Sequence, residues 1–190
     1  MGINDTQFEV QITLNDVKPA IWRDIIINST ITLPDFHKVI QTVIGWTNSH
    51  LHQFRVGDIA YSIPDEDSLM TCIDYKGVLL STVLKKEGDK IYYDYDYGDG
   101  WEHTIVLNKI ISSSSNKKPL CIDGERSCPP EDCGGPFGYN DLVKVLSNQK
   151  GKKYKELIEW LGEEFDPEYF DKEAINELLK KKNYGCESFD

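Results

Sequence analysis

The stretch KIYYDYDYGDGWEHTIVLNKII, residues 90–111, predicts a β-hairpin more clearly than any other part of the chain. Two runs rich in aromatic and β-branched residues, 90–97 and 102–111, flank the turn sequence Gly98-Asp99-Gly100. Side chains alternate between the two faces of a strand, so Tyr93, Tyr95 and Tyr97 share one face while Asp94 and Asp96 share the other. The hairpin is therefore the starting point for predicting a sheet.

Four further segments on the amino-terminal side of this hairpin predict strands. Residues 7–14 alternate apolar with polar side chains, and residues 21–27 supply an antiparallel partner for them. Two short strands, residues 52–56 and 59–63, surround the turn pair Gly57-Asp58. The first half of the chain is therefore mostly β-structure.

Helices are predicted in two regions. Thr32 begins an N-cap signature, and apolar residues then recur at helical spacing as far as Gly45. Later in the chain three helices are predicted, at about residues 140–146, 153–161 and 171–182. This order predicts an α+β fold, in which a mixed twisted sheet wraps one helix, followed by a C-terminal helical segment.

The length of 190 residues suits one domain, because a core of that size is stable without disulfides. We expect a single domain over residues 1–190. Within it, residues 7–125 are mostly β with one helix, and residues 139–182 form a helical appendix packed on that part.

The composition is acidic, with 21 Lys plus Arg against 32 Asp plus Glu and a net charge of −11. Direct nucleic-acid binding needs a basic surface, so no nucleic-acid partner is expected. No apolar run is long enough to span a bilayer, so no membrane partner is expected. The amino terminus lacks a signal-peptide pattern and the five cysteines are an odd number, so we expect a cytoplasmic protein with reduced thiols.

The histidines suggest one kind of site. His50 and His52 are two residues apart and would share a face of a strand, the geometry of many zinc-binding pairs, and His103 could add a third imidazole. The alternative is that these histidines flank Trp46 and make ordinary hydrogen bonds at the start of a strand.

The acidic residues of the hairpin suggest a second kind of site, a cation site. Asp96, Asp99 and Glu102 lie near the turn, and no Lys or Arg occurs from Ile91 to Asn108. An anionic hairpin end of this kind would suit a hard cation. The alternative is a solvated turn in which Asp and Gly serve only the backbone geometry.

The loop RSCPPEDCGGPFGY, residues 126–139, combines two cysteines with prolines and glycines. Its spacing lacks the tight pair typical of structural zinc, so we interpret it as a structural corner. Metal binding by Cys128 and Cys133 and redox chemistry remain as alternatives. Because the chain resembles a cytosolic protein, we expect both cysteines to be free thiols.

Five blocks carry a resemblance to a known family: IWRDIII, GWTNSHLHQF, YDYDYGDGWEH, DGERSCPPEDCGGPFGY and WLGEEFDPEYFD. From about Phe8 to about Asn176 the chain resembles the plasmid open-reading-frame-three-like family, also labelled passenger TnpR proteins of insertion elements. The resemblance implies a single α+β domain that forms a β-grasp-like roll. It also implies an association with mobile elements, without an established biochemical role. Resolvase activity is not expected, since the chain shows no serine-recombinase motif.

We interpret the chain as a non-enzymatic binding or accessory module that recognises a partner protein or small ligand through a polar cleft. The alternative is a metal-dependent hydrolase that uses a His/Asp cluster of His50, His52, Asp96, Asp99 and His103. The cleft is expected to contain Trp46, His50, His52, Asp96, Asp99, Trp101, Glu102, His103, Glu131 and Asp132. The candidate ligands for zinc or another divalent cation are His50, His52, His103, Cys128 and Cys133.

Overall fold

The computed structural model describes residues 6–64, 72–112, 118–162 and 164–187. The strands in these ranges are β1 Thr6–Leu14, β2 Ile21–Asn28, β3 His52–Val56, β4 Ile59–Ser62, β5 Ile73–Asp74, β6 Lys90–Tyr95, β7 Trp101–Ser112 and β8 Leu120–Glu125. The helices are α1 Leu33–Ile44, α2 Leu80–Val83, α3 Gly135–Asn148, α4 Lys152–Leu161 and α5 Lys172–Leu179, and a short 3-10 helix covers Lys182–Gly185.

The strands form one mixed sheet in the order β5-β4-β3-β6-β7-β1-β2-β8. Strands β4 and β5 are parallel, whereas the other neighbouring strands are antiparallel. The β6-β7 hairpin occupies the middle of the sheet and pairs Tyr93 with His103 and Tyr95 with Trp101. The predicted α+β class is confirmed. None of the helices in the described ranges is both long enough and apolar enough to cross a membrane.

Helix α1 packs its apolar face on the sheet. Its N-cap is Thr32, whose side chain accepts a hydrogen bond from the Asp35 N–H, and it ends at Gly45, which adopts a left-handed φ of 115°. Phe36 of α1 stacks on Phe54 of β3 with ring centroids 5.8 Å apart. The helix signals of the sequence are confirmed at both ends.

Two parts of the fold differ from the sequence prediction. The pattern does not predict β5 or β8, which are short and depend on pairing with a neighbouring strand. Helix α3 begins at Gly135 rather than at residue 140, because Gly134 takes a left-handed N-cap conformation and Pro136 fits the first turn. Gly138 lies inside α3, where a Cβ would stand 2.0 Å from the Cys133 carbonyl oxygen.

A closed ring of hydrogen bonds joins α1 to β6. Gln41 Nε2 donates to the Tyr93 hydroxyl over 2.8 Å, and that hydroxyl donates to His37 Nδ1 over 2.8 Å. His37 Nε2–H donates to Asn48 Oδ1 over 2.9 Å, and the Asn48 backbone N–H donates to Gln41 Oε1 over 2.8 Å, which closes the ring. This ring is complete with a neutral imidazole, since a second proton on His37 would face the Tyr93 O–H.

Two more histidines lie in the same buried region. The His52 ring stacks on His37 with centroids 3.5 Å apart and lies 3.0 Å from the Tyr75 hydroxyl. His103 accepts from Trp46 Nε1 over 3.2 Å, and its Nδ1 lies 3.1 Å from a carbonyl oxygen. Burial lowers the pKa of His37 and of His103 from 6.5 to about 4, and it lowers the pKa of His52 to about 2.

We predict that the protein loses stability as the pH falls below about 6.5. Each of the three histidines takes up a proton near pH 6.5 in the unfolded chain but only near pH 4 or below in the fold. The unfolded state then binds more protons, so the free energy of unfolding falls by up to about 1.4 kcal/mol per pH unit for each histidine. Urea unfolding between about pH 7.5 and 5 measures this slope, and a constant value would contradict it.

Arg23 lies in β2 and is buried, with 2% exposure. Its guanidinium donates hydrogen bonds to five carbonyl oxygens, which belong to Trp22, Val43, Ile44, Glu125 and Arg126. Trp22 belongs to β2, Val43 and Ile44 to the end of α1, and Glu125 to the end of β8, which Arg126 follows. One side chain therefore joins three segments, and Phe170 packs over its guanidinium at 4.7 Å.

Replacing Arg23 by Lys should lower the free energy of unfolding by about 3 kcal/mol, because an ammonium has three donors and leaves buried carbonyls unpaired. Arg55→Lys is the matched control, since Arg55 forms partly exposed ion pairs and its replacement should cost about 1 kcal/mol or less. Chemical unfolding of both variants measures the difference. Equal effects of the two replacements would contradict the role assigned to Arg23.

Candidate functional site

Four polar side chains meet beyond the ends of two central strands, where β3 begins and β6 ends: His50, Asp96, Glu131 and Asp132, here called the acidic cluster. His50 Nδ1 lies 3.7 Å from Asp96 Oδ1, and His50 Nε2 lies 3.7 Å from Glu131 Oε2 and 3.6 Å from Asp132 Oδ1. These distances are too long for hydrogen bonds. One imidazole is therefore surrounded by three carboxylates.

The backbone places Asp96 in this cluster. Strand β6 ends at Tyr95, and Asp96 adopts a left-handed φ of 54°. Its Oδ1 accepts from the Gly98 N–H over 2.9 Å, which fixes the carboxylate within the turn. The sequence predicts that Asp96 shares a face with Asp94, and this is wrong because Asp96 has left the strand geometry.

Glu131 is held by three donors on one of its oxygens. Glu131 Oε1 accepts from the N–H and the hydroxyl of Thr47, both over 2.9 Å, and from the Tyr95 hydroxyl over 3.0 Å. The Tyr95 hydroxyl in turn accepts from the Ser49 N–H over 2.9 Å. Glu131 Oε2 is buried and has no hydrogen-bond partner among the described residues, and it faces His50.

The β6-β7 turn packs directly on the loop that follows β8. Gly134 N–H donates to Asp99 Oδ2 over 3.2 Å. A Cβ on Gly135 would lie 2.2 Å from the Asp99 carbonyl oxygen, so this position requires glycine. The structure therefore brings three segments together. The first contains His50, the second is the β6-β7 turn with Asp96 and Asp99, and the third is the loop after β8 with Glu131 and Asp132.

Other residues proposed from the sequence lie elsewhere. His52 and His103 are hydrogen-bonded in the buried region, His52 to the Tyr75 hydroxyl and His103 to Trp46 Nε1. Trp101 packs there against Trp46, with ring centroids 5.2 Å apart. Glu102 faces the opposite side of the sheet, where it pairs with Arg55 and accepts from Asn15 over 2.7 Å. The structure thus separates the imidazoles of His52 and His103 from the acidic cluster.

Arg55 is a residue that sequence reasoning missed. It lies on β3 and pairs with Asp94 on β6 over 2.6 Å and with Glu102 on β7. The hairpin itself contains no basic residue between Ile91 and Asn108, but the neighbouring strand supplies one. No pattern within the hairpin indicates this pairing, because it depends on strand order.

All five cysteines are free thiols. Burial raises the pKa of Cys128 and raises that of Cys133 to about 12, so both thiols are protonated at neutral pH. A Cβ on Gly45 would lie 2.9 Å from the Cβ of Cys128. Cys128 therefore packs closely against the end of α1.

The fold and the cluster define an α+β protein with a polar site where a hairpin turn meets a Pro- and Gly-rich loop. The family described as plasmid pRiA4b ORF-3-like protein matches residues 6–174. The chain belongs to this family. No biochemical role is established for the family.

Two relatives support this assignment. The uncharacterized protein y4hQ of Sinorhizobium fredii is 36% identical over 154 residues, which cover 80% of this chain and 79% of the relative. The crystal structure of the protein of unknown function MM3350 from Methanosarcina mazei Go1 is similar with a TM-score of 0.79 and 30% identity, covering 90% of this chain and 97% of that one.

Replacing Tyr95 by Phe should destabilise the protein by about 1–3 kcal/mol, because it removes the donor to Glu131 and the acceptor of the Ser49 N–H. Burial, together with the Glu131 carboxylate, raises the pKa of Tyr95, so the hydroxyl stays protonated as a donor. Tyr92→Phe, on the other face of β6, is the matched control and should have little effect. Chemical unfolding measures both, and an unchanged Tyr95→Phe variant would refute the role of this hydroxyl.

Proposed function

We propose that the protein is a non-enzymatic binding module that binds a divalent cation at the acidic cluster. The proposal is carried by one observation, the position of the His50 imidazole among three carboxylates. Among the described residues, His50, Asp96 and Asp132 are the group of three potential ligands whose ligand atoms all lie within 4.8 Å of one another.

The charge of the cluster favours a cation. In the part of the chain that the structure describes, its carboxylates form ion pairs with His50 and with no Lys or Arg. Glu131 Oε2 is buried without a hydrogen-bond donor among these residues. Carboxylates brought this close repel one another, and a cation would offset that repulsion.

The mixture of ligand types narrows the choice of cation. Zinc and manganese accept both imidazole nitrogen and carboxylate oxygen, whereas calcium and magnesium prefer oxygen ligands alone. Ligand atoms around a zinc ion lie about 3.3 Å apart, so binding requires a modest closing movement. The Asp132 side chain is able to make this movement toward His50 because it is 76% exposed.

A metal-dependent hydrolase is the second candidate. The exposure of Asp132 favours it, since a cation there would keep a coordination position open to water, as in catalytic zinc sites. The binding module is preferred because His52 and His103, which a histidine-rich catalytic site would use, are engaged in the buried region.

The partner of the proposed module is a protein or a small ligand that reaches the acidic cluster. The net charge of −11 argues against a direct nucleic-acid partner. The resemblance to proteins encoded near mobile elements is consistent with an accessory role, and the reduced thiols suit a cytoplasmic protein.

Titration of protein purified without a histidine tag should show that zinc or manganese binds at one equivalent. At a free metal concentration of about 100 Kd the free energy of unfolding should rise by about 2.7 kcal/mol. Asp96→Asn and His50→Gln should each abolish most of this binding because they remove a ligand. Calorimetry measures the affinity, and thermal unfolding measures the stabilisation.

Asp58→Asn is the matched control, since Asp58 is an exposed acid in the turn between β3 and β4. This variant should bind metal like the original protein. Absence of zinc and manganese binding would refute the proposal, as would binding that survives both cluster replacements.

A further inference from the structure

An open groove lies between helices α3 and α4 and adjoins the acidic cluster. It encloses about 280 Å³, and its apolar wall contains Leu142 and Val145 of α3 with Leu157 and Trp160 of α4. This volume is enough for one ring-sized group and lies just below the range of ordinary ligand pockets. The groove is therefore suited to a small ligand.

Helix α4 leaves its apolar face partly uncovered. The helix is amphipathic, yet none of its residues is buried. Leu157 is half-buried, and the Trp160 side chain, in the wall of the groove, is 51% exposed. An amphipathic helix normally buries its apolar stripe, so this face has apolar surface still available for a ligand.

Asp132 connects the groove to the acidic cluster. It lines the groove, and its Oδ1 lies 3.6 Å from His50 Nε2. Asp141 is a second acid in the groove lining, but it forms an exposed ion pair with Lys144 over 2.8 Å. The polar end of the groove is thus the end where the cation is proposed to bind.

We infer that the groove and the cation together bind a small carboxylic acid with an apolar body of about one ring. This inference rests on the proposed function, because a carboxylate alone would be repelled by Asp132 and Glu131. A cation held by three protein ligands keeps at least one coordination position, which the carboxylate oxygen of the ligand fills in place of water. The ring then covers the exposed face of Trp160.

Ligand-observed NMR of the full chain with zinc and 4-phenylbutyrate tests the inference. 4-Phenylbutyrate should bind the zinc-loaded protein about tenfold more tightly than butyrate, which lacks the ring, and about tenfold more tightly than it binds metal-free protein. Trp160→Ala should weaken the binding of 4-phenylbutyrate about fivefold, and Trp160→Phe should largely retain it because the aromatic wall remains.

A zinc titration of each variant without the acid separates the two proposals. If zinc binds as proposed but 4-phenylbutyrate binds no better than butyrate, or binds Trp160→Ala unchanged, the inference is overturned and the cation site stands. Preferential binding of 4-phenylbutylamine to metal-free protein would also overturn it, in favour of a cationic ligand. If zinc itself does not bind, both the proposed function and the inference are refuted.

Discussion

The position of the candidate site depends on the buried Arg23 guanidinium. Its five N–H donors meet five carbonyl oxygens, from β2, from the last turn of α1, and from the end of β8 and the residue after it. His50 lies in the loop after α1, and Glu131 lies in the loop after β8. One buried side chain thus fixes where these two loops begin, so the approach of His50 to Glu131 follows from the core.

Neutral polar groups complete this arrangement. The ring of hydrogen bonds through His37 and Tyr93 keeps α1 on the centre of the sheet without burying a charge. Charged carboxylates cannot share that region cheaply, because desolvation disfavours the ionised form. Those of the acidic cluster lie instead beyond the ends of the central strands, where Tyr95 joins the buried aromatic groups to Glu131. Tyr93 of β6 therefore serves the buried core, and Tyr95 of the same strand supports the candidate site.

Most residues of the candidate site could be predicted from the sequence by their chemical type, but the contacts between them could not. The sequence singled out His50, Asp96, Glu131 and Asp132, and the structure brings them together. It also singled out His52, which is two residues from His50 and which a single strand would have placed on the same face. That expectation fails because His50 precedes β3, outside the regular alternation of the strand.

The sequence by itself determined the elements with local signals: α1 with its Thr32 cap and Gly45 end, the hairpins of alternating residues, and the α+β class. These follow from backbone and solvent preferences that act within a few residues. Only the tertiary structure decided that Arg55 pairs with the hairpin acids, that Arg23 joins three segments, and that α3 and α4 leave a groove beside Asp132. These contacts join residues far apart in the chain, and no local periodicity encodes which strand or helix becomes a neighbour.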